Sequence, residues 1–169
     1  PLAFVIEECH KRGMECHAWF VTFPLGTDKR VKEQGKRSVV KRYPKLCKRH
    51  NGEWYLDPGV PETTDYILSL VKEIVNGYDI DGIHFDYVRY PEQAKSFPDK
   101  AQFKKFGKKQ SLPEWRRTNI NKMMVRIYDW VKSVKPWVQV SSSPLGKYNR
   151  IERVPNAGWT AYESVYQDP

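Results

Sequence analysis

Three short stretches of this sequence place polar, chemically capable side chains at alternate positions. They are Glu15, His17 and Trp19 in MECHAWFV, His84 and Asp86 in GIHFDYV, and Gln139, Ser141 and Ser143 in WVQVSSS. Successive side chains of a strand point to opposite faces, so within each stretch these residues share one face. The other face is largely apolar, with Cys16, Ala18 and Phe20, then Ile83, Phe85 and Tyr87, then Val138 and Val140. Asp86 is the best catalytic candidate, because a carboxylate at a strand end could act as a glycosidic nucleophile or as a base toward water. The plainer alternative is an Asp that caps a loop or pairs with Arg89, itself a candidate for holding substrate. His84, two residues deeper, could orient Asp86 or touch a sugar hydroxyl, or be a satisfied core histidine. His17 has the same two readings on its own strand. Trp19 could be a platform for a sugar ring or a core filler. A metal site built from His17, His84 and Asp86 would lack a further ligand, so neither a metal nor another cofactor is expected.

The elements that must position these residues follow from periodicity. Leu2, Val5, Ile6 and Cys9 share one helical face, with Gly13 as the C′ residue, and residues 14–21 alternate as a strand. Residues 22–60 are polar, basic and read as an irregular loop. Ile67, Leu70, Val71, Ile74 and Val75 define a second helix that stops at Asn76-Gly77, and residues 82–88 form the second strand. After a loop marked by Pro91 and Pro98, Ser111-Leu112-Pro113-Glu114 opens a third helix as a capping box. That helix carries Ile120, Met123, Met124, Ile127, Val131 and Val134, ends at Lys135-Pro136, and leads into a third strand over 137–143.

Alternating helices and strands imply an α/β fold whose parallel strands are joined by crossover helices. Each strand is followed by a long connection and each helix by a short one. Functional residues therefore belong at the C-terminal ends of the strands, and His17, Trp19, His84 and Asp86 are expected to converge on one concave surface there. The absence of GxGxxG and GxxxxGK[ST] removes the main signal of a nucleotide-binding sheet.

The chain has 169 residues, enough for one domain but short of the roughly 250 of a complete (β/α)₈ barrel. With no initiator Met and a first segment already helical, it reads as a single-domain piece of a longer protein. Such a piece, with open sheet edges, is expected to self-associate and not to turn over substrate alone. Lys and Arg number 29 against 20 acids, a balance suited to anionic partners. Ten of these cations lie between Lys29 and Arg49 with one acid, Glu33. Usually such a run is a solvated surface; otherwise it gathers an anionic substrate. No nucleic-acid-binding motif accompanies the charge, which speaks against a nucleic-acid partner, and no apolar run is long enough for a membrane span. The cysteines, Cys9, Cys16 and Cys47, are odd in number and support no disulfide framework. Cys9 and Cys16 read as small buried residues, and Cys47 as a thiol whose pKa a basic loop could lower. Asp79 and Asp81 read as turn or surface residues.

Three stretches together resemble the glycosyl-hydrolase-like 10 family, a bacterial group. They are FVIEECHKRGMECHAWF (4–20), YLDPGVPETTDYILSLVKEIVNGYDIDGIHFDYVRYP (55–91) and SLPEWRRTNINKMMVRIYDWVKSVKPWVQVSSSPLG (111–146), of which DGIHFDYVRYP is the most specific. The resemblance implies part of a (β/α)₈ TIM barrel, roughly its third to fifth strands. It implies an exported bacterial glycosidase, secreted, periplasmic or at the cell surface, whose partner is a polysaccharide or oligosaccharide, with peptidoglycan-type glycans one substrate class. Asp86 then matches the acid closing the family's fourth strand. The family commonly has two consecutive acids there, whereas Tyr87 follows Asp86 here; a catalytically inactive glycan-binding barrel is the alternative reading. Glycoside hydrolysis normally needs two carboxyl groups roughly 5–10 Å apart. Within this chain Glu163 is the leading second acid, followed by Glu92 and Asp57; an acid on a later barrel strand, beyond Pro169, is the alternative.

Overall fold

The computed structural model describes residues 1–107, 109–149 and 158–168. Helix α1 (Leu2–His10) leads to strand β1 (His17–Val21), and β2 (Pro24–Thr27) follows with the short helices α2 (Asp28–Gln34) and α3 (Val39–Arg42). Strands β3 (Cys47–His50) and β4 (Glu53–Leu56) precede helix α4 (Pro61–Gly77) and strand β5 (Gly82–Asp86). Helices α5 (Lys100–Phe106) and α6 (Leu112–Val134), strand β6 (Gln139–Ser142) and one turn, α7 (Ala161–Ser164), complete the order.

Strands β1, β5 and β6 form a parallel sheet in the order β1-β5-β6. Its register sets Trp19 beside His84 and His84 beside Ser141. The division of faces expected from alternation holds over the strands. Ala18, Phe20, Ile83, Phe85 and Val140 lie on the side packed against helices, where they join Ile67, Val71 and Val75 of α4 and Ile127 and Val131 of α6 in one core. Fully burying side chains the size of Ile83 and Phe85 contributes about 1.5–3 kcal/mol each, so the register cannot slip by one residue without exposing them. Tyr87 departs from the expected pattern. The chain turns just after Asp86, where Tyr87 adopts φ 52°, and its ring is exposed instead of continuing the apolar face.

Helix α6 begins with the expected capping box. The Ser111 hydroxyl accepts the Glu114 N–H at 3.4 Å, and the Glu114 carboxylate accepts the Ser111 N–H at 2.9 Å. The segment 22–60 corrects the expectation of an irregular loop. It holds a second, antiparallel sheet in the order β2-β4-β3. Its strands are four residues each, too short to show alternation, yet Asn51-Gly52 between β3 and β4 takes positive φ at both positions, 49° and 85°. That is the backbone of a tight two-residue hairpin turn, for which Asn-Gly is favoured. Cys47 is also corrected: it is buried, its thiol is pushed up to about 11 by desolvation, and its sulfur donates to the Tyr43 carbonyl at 3.4 Å. Cys9 and Cys16 are half-buried rather than fully enclosed. Asp81 does more than end a turn, since it accepts the Cys16 N–H at 2.7 Å and the His10 Nε2–H at 2.9 Å, pinning α1 to the sheet.

Candidate active site

Asp86 closes β5 on the polar face of the parallel sheet. Both of its carboxylate oxygens accept hydrogen bonds: Oδ2 from the Trp19 indole N–H at 3.1 Å, and Oδ1 from the Tyr87 backbone N–H at 2.7 Å. The second bond exists because the left-handed turn at Tyr87 folds its N–H back onto the side chain before it. Trp19 is 70% exposed, so its ring is presented at the surface and not used as core. His84 lies one alternation deeper, its ring nitrogens paired with the hydroxyls of Ser141 at 2.9 Å and Ser143 at 2.5 Å. Thus β6 holds the His84 ring, and no hydrogen bond to Asp86 is needed to orient it.

His17 shares this face but not this end. It pairs in register with Gly82, whereas Asp86 pairs with Val21, a separation of four residues or roughly 13 Å along a strand. Its ring Nε2–H donates to the Glu15 carboxylate at 3.0 Å, and the ring lies over Gly82, where a Cβ would fall 2.5 Å from the imidazole. Trp19, His84 and Asp86 are therefore brought together, and His17 is set apart at the N-terminal end. That distance also prevents His17, His84 and Asp86 from sharing an ion; among the described residues no group of three or more His, Cys, Asp and Glu could hold one.

Arg89 makes no ion pair with Asp86. Its guanidinium lies over the Tyr87 ring at 5.0 Å and the Trp159 ring at 4.8 Å. Burial pushes it below its ordinary value, against the pull of Tyr87, Glu92 and Asp86 nearby. Trp159 in turn lines a cleft of about 670 Å³ together with Glu163, Gln93 and Lys95. Arg89, stacked on Trp159, thus ties the loop after β5 to the cleft that Glu163 lines. Glu92 is exposed.

Asp57 is in a different environment. Its side chain is fully buried, one oxygen accepts the Gly59 N–H at 2.8 Å, and Lys48 stands 3.9 Å away. Desolvation raises its pKa to about 6, above the 3.8 of a free side chain. A carboxyl raised on folding binds its proton more tightly in the native state, so this group favours folding below about pH 4. The benefit is lost as pH rises to about 6 and the cost is constant above that. Asp57→Asn is expected to leave stability unchanged at pH 4 and to raise it by roughly 3 kcal/mol at pH 7.5. Urea titrations of parent and variant at both pH values check this; equal midpoints at pH 7.5 would refute it.

A buried group that sequence reasoning missed underlies the loops. Arg116 of α6 is fully buried and donates to both carboxylate oxygens of Asp99, at 2.8 and 2.6 Å, and to the carbonyls of Ala94 and Phe97. Its guanidinium also packs against the edge-to-face pair of rings formed by Tyr90 and Tyr166. Gln167 adds a second tie, accepting from the Leu145 N–H and donating to the Val88 carbonyl. The signal in the sequence was weak, since one Arg in a cationic helix does not reveal that it faces inward.

A parallel sheet with crossover helices, with a carboxylate and an indole meeting at its strand ends, defines a partial (β/α)₈ barrel of the kind found in glycoside hydrolases. Solved structures agree on that fold. An α-L-fucosidase, isoenzyme 2 from Paenibacillus thiaminolyticus, superposes with a TM-score of 0.57 at 19% identity, covering 91% of this chain and 24% of that one. The α-galactosidase TtGalA from Thermus thermophilus, solved with stachyose, gives 0.51 at 17% identity over 83% of this chain and 27% of that one. Sequence narrows the class: residues 1–169 match the Glycosyl hydrolase-like 10 family, and the chain belongs to it. It is 34% identical to the glycosyl hydrolase YngK of Bacillus subtilis over 180 residues, covering 99% of this chain and 35% of the relative. It is 32% identical to the glycosyl hydrolase DigH of Escherichia coli K12 over 183 residues, covering 99% of this chain and 42% of the relative. The chain thus spans well under half the length of these relatives. Among the described residues no helix is long and apolar enough to cross a membrane.

Proposed function

We propose that this chain carries part of the active site of an exported glycoside hydrolase acting on a bacterial polysaccharide, with peptidoglycan-type glycan as one substrate class. The observation that carries the reading is the placement of Asp86. It stands at the C-terminal end of a barrel strand, where (β/α)₈ enzymes keep their chemistry, fixed by two N–H donors and flanked by an exposed indole. Asp86 serves as nucleophile or base. Trp19 packs against a sugar ring, His84 contacts a hydroxyl, and Arg89 binds substrate from the loop after β5. Glu163, on the cleft that Trp159 also lines, is the second carboxyl; Glu92 follows it. On this reading β1, β5 and β6 are the third to fifth barrel strands.

The test is incubation of the full-length protein with purified bacterial cell-wall glycan and with soluble polysaccharides, followed by assay of new reducing ends. Release from the wall glycan supports the reading. Binding without release supports a second one, an inactive glycan-binding barrel, favoured by Tyr87 standing where the family commonly has an acid and by its ring packing on Arg89.

A further inference from the structure

Outside the polar sheet face, residues 42–46, the first turns of α4 and helix α5 enclose a cleft of about 860 Å³. That is within the size range of small-ligand sites. Its walls carry three aromatic rings, Tyr43, Tyr66 and Phe106, and three cations, Arg42, Lys45 and Lys105. The rings of Tyr43 and Tyr66 are 5.1 Å apart and tilted by 48°, making an angled apolar floor. Arg42 lies over the Tyr43 ring and donates to its hydroxyl at 3.1 Å. Of the two acids on the wall, Asp65 is held by Arg126 at 2.6 Å, which leaves Glu62 facing three cations. The amide oxygen of Gln102, on the same wall, accepts no hydrogen bond among the described residues.

Topology sets this cleft toward the strand ends. The chain leaves β1 at its C-terminal end and re-enters the helix layer through the N-terminus of α4, which lines the cleft. Helix α5 belongs to the connection that leaves β5 beyond Asp86. Both walls therefore lie on the side of the molecule where β1 and β5 finish.

We infer that this cleft is a second, non-catalytic glycan site that takes an acidic oligosaccharide segment. The aromatic floor suits the C–H faces of pyranose rings. The excess of cations suits carboxylates on the sugar, with Arg42 able to form paired hydrogen bonds. The role assigned to the site rests on the glycosidase reading: a polymer anchored here has a raised local concentration at Asp86 without further contacts there.

The experiment is calorimetric titration of the full-length protein with hexagalacturonate, a carboxylate-bearing hexamer, and with uncharged cellohexaose. The acidic hexamer is expected to bind at least tenfold more tightly than the neutral one. Tyr43→Ala combined with Lys45→Gln should weaken that binding by about tenfold, equal to about 1.4 kcal/mol, and Asp86→Asn should leave it in place. Both cleft positions are exposed, and melting curves identify any variant that has lost its fold; Arg42→Gln then replaces it. In turnover of polymer, the cleft variant should raise KM with kcat on a short substrate unchanged. Equal binding of the two hexamers, or binding by the cleft variant equal to the parent's, would overturn the inference. A second copy occupying the cleft, seen as a dimer that Tyr43→Ala dissociates with no change in sugar binding, would overturn it too. If the protein shows no turnover of any glycan, the glycosidase reading fails, while the binding measurement still decides the cleft.

Discussion

Asp86→Asn in the full-length protein is expected to lower glycan turnover by about 10²–10⁴-fold, the range that general base catalysis alone supplies, and further if Asp86 is the nucleophile. The side chain keeps its shape but loses the charge that stabilises an oxocarbenium-like transition state. Folding should be little affected. Asn retains one acceptor oxygen, so one of the two N–H donors, from Trp19 or Tyr87, meets an amide nitrogen. Asp86 is only half-buried, so water replaces that lost bond and the cost stays near 1 kcal/mol. Initial rates and a melting curve on the same preparation separate the two effects. A variant that keeps more than about a tenth of parent activity would show that Asp86 is neither nucleophile nor base.

Arg116→Met should be the most destabilising single change in the loop support, costing about 3–5 kcal/mol, the usual penalty for removing one partner of a buried ion pair. The pair is bidentate and both side chains are fully buried. Without the guanidinium, the Asp99 carboxylate and the carbonyls of Ala94 and Phe97 lose their donor together. The loops after β5 and β6 share this anchor, since Tyr90 donates its N–H to the Val165 carbonyl at 3.0 Å while the rings of Tyr90 and Tyr166 both pack on the same Arg. Urea unfolding of parent and variant measures the cost. Adding Asp99→Leu to Arg116→Met should recover part of it, because the uncompensated charge is then gone. A loss below about 1 kcal/mol for the single variant would mean that water enters and solvates Asp99.

These two residues differ in how visible they were beforehand. Asp86 could be found because it lies within a strand whose apolar positions, Ile83 and Phe85, alternate with polar ones; period-two patterning records which side of a sheet meets the core. Arg116 could not, because whether a helical Arg is solvated or enclosed depends on segments distant in sequence, here 90–99 and 166. The antiparallel sheet over 24–56 lies between these cases. Its strands are only four residues long, too short for alternation to register, and only Asn51-Gly52 signalled the hairpin.

By itself the sequence determined the alternation of helices and parallel strands, the apolar and polar faces of β1, β5 and β6, the capping box at Ser111, and Asp86 as the acid at a strand end. Each depends on interactions within a few residues or on a periodicity that burial imposes locally. The tertiary structure decided the rest. It set His17 apart from Asp86, because register places residues along the strand as well as on a face. It joined Trp19 to Asp86 across 67 positions, turned Tyr87 outward, and stacked Arg89 on Trp159 instead of pairing it with an acid. Those outcomes depend on which strands become neighbours and how the loops fold over them, and the contacts that choose among such arrangements are made between residues far apart in the chain.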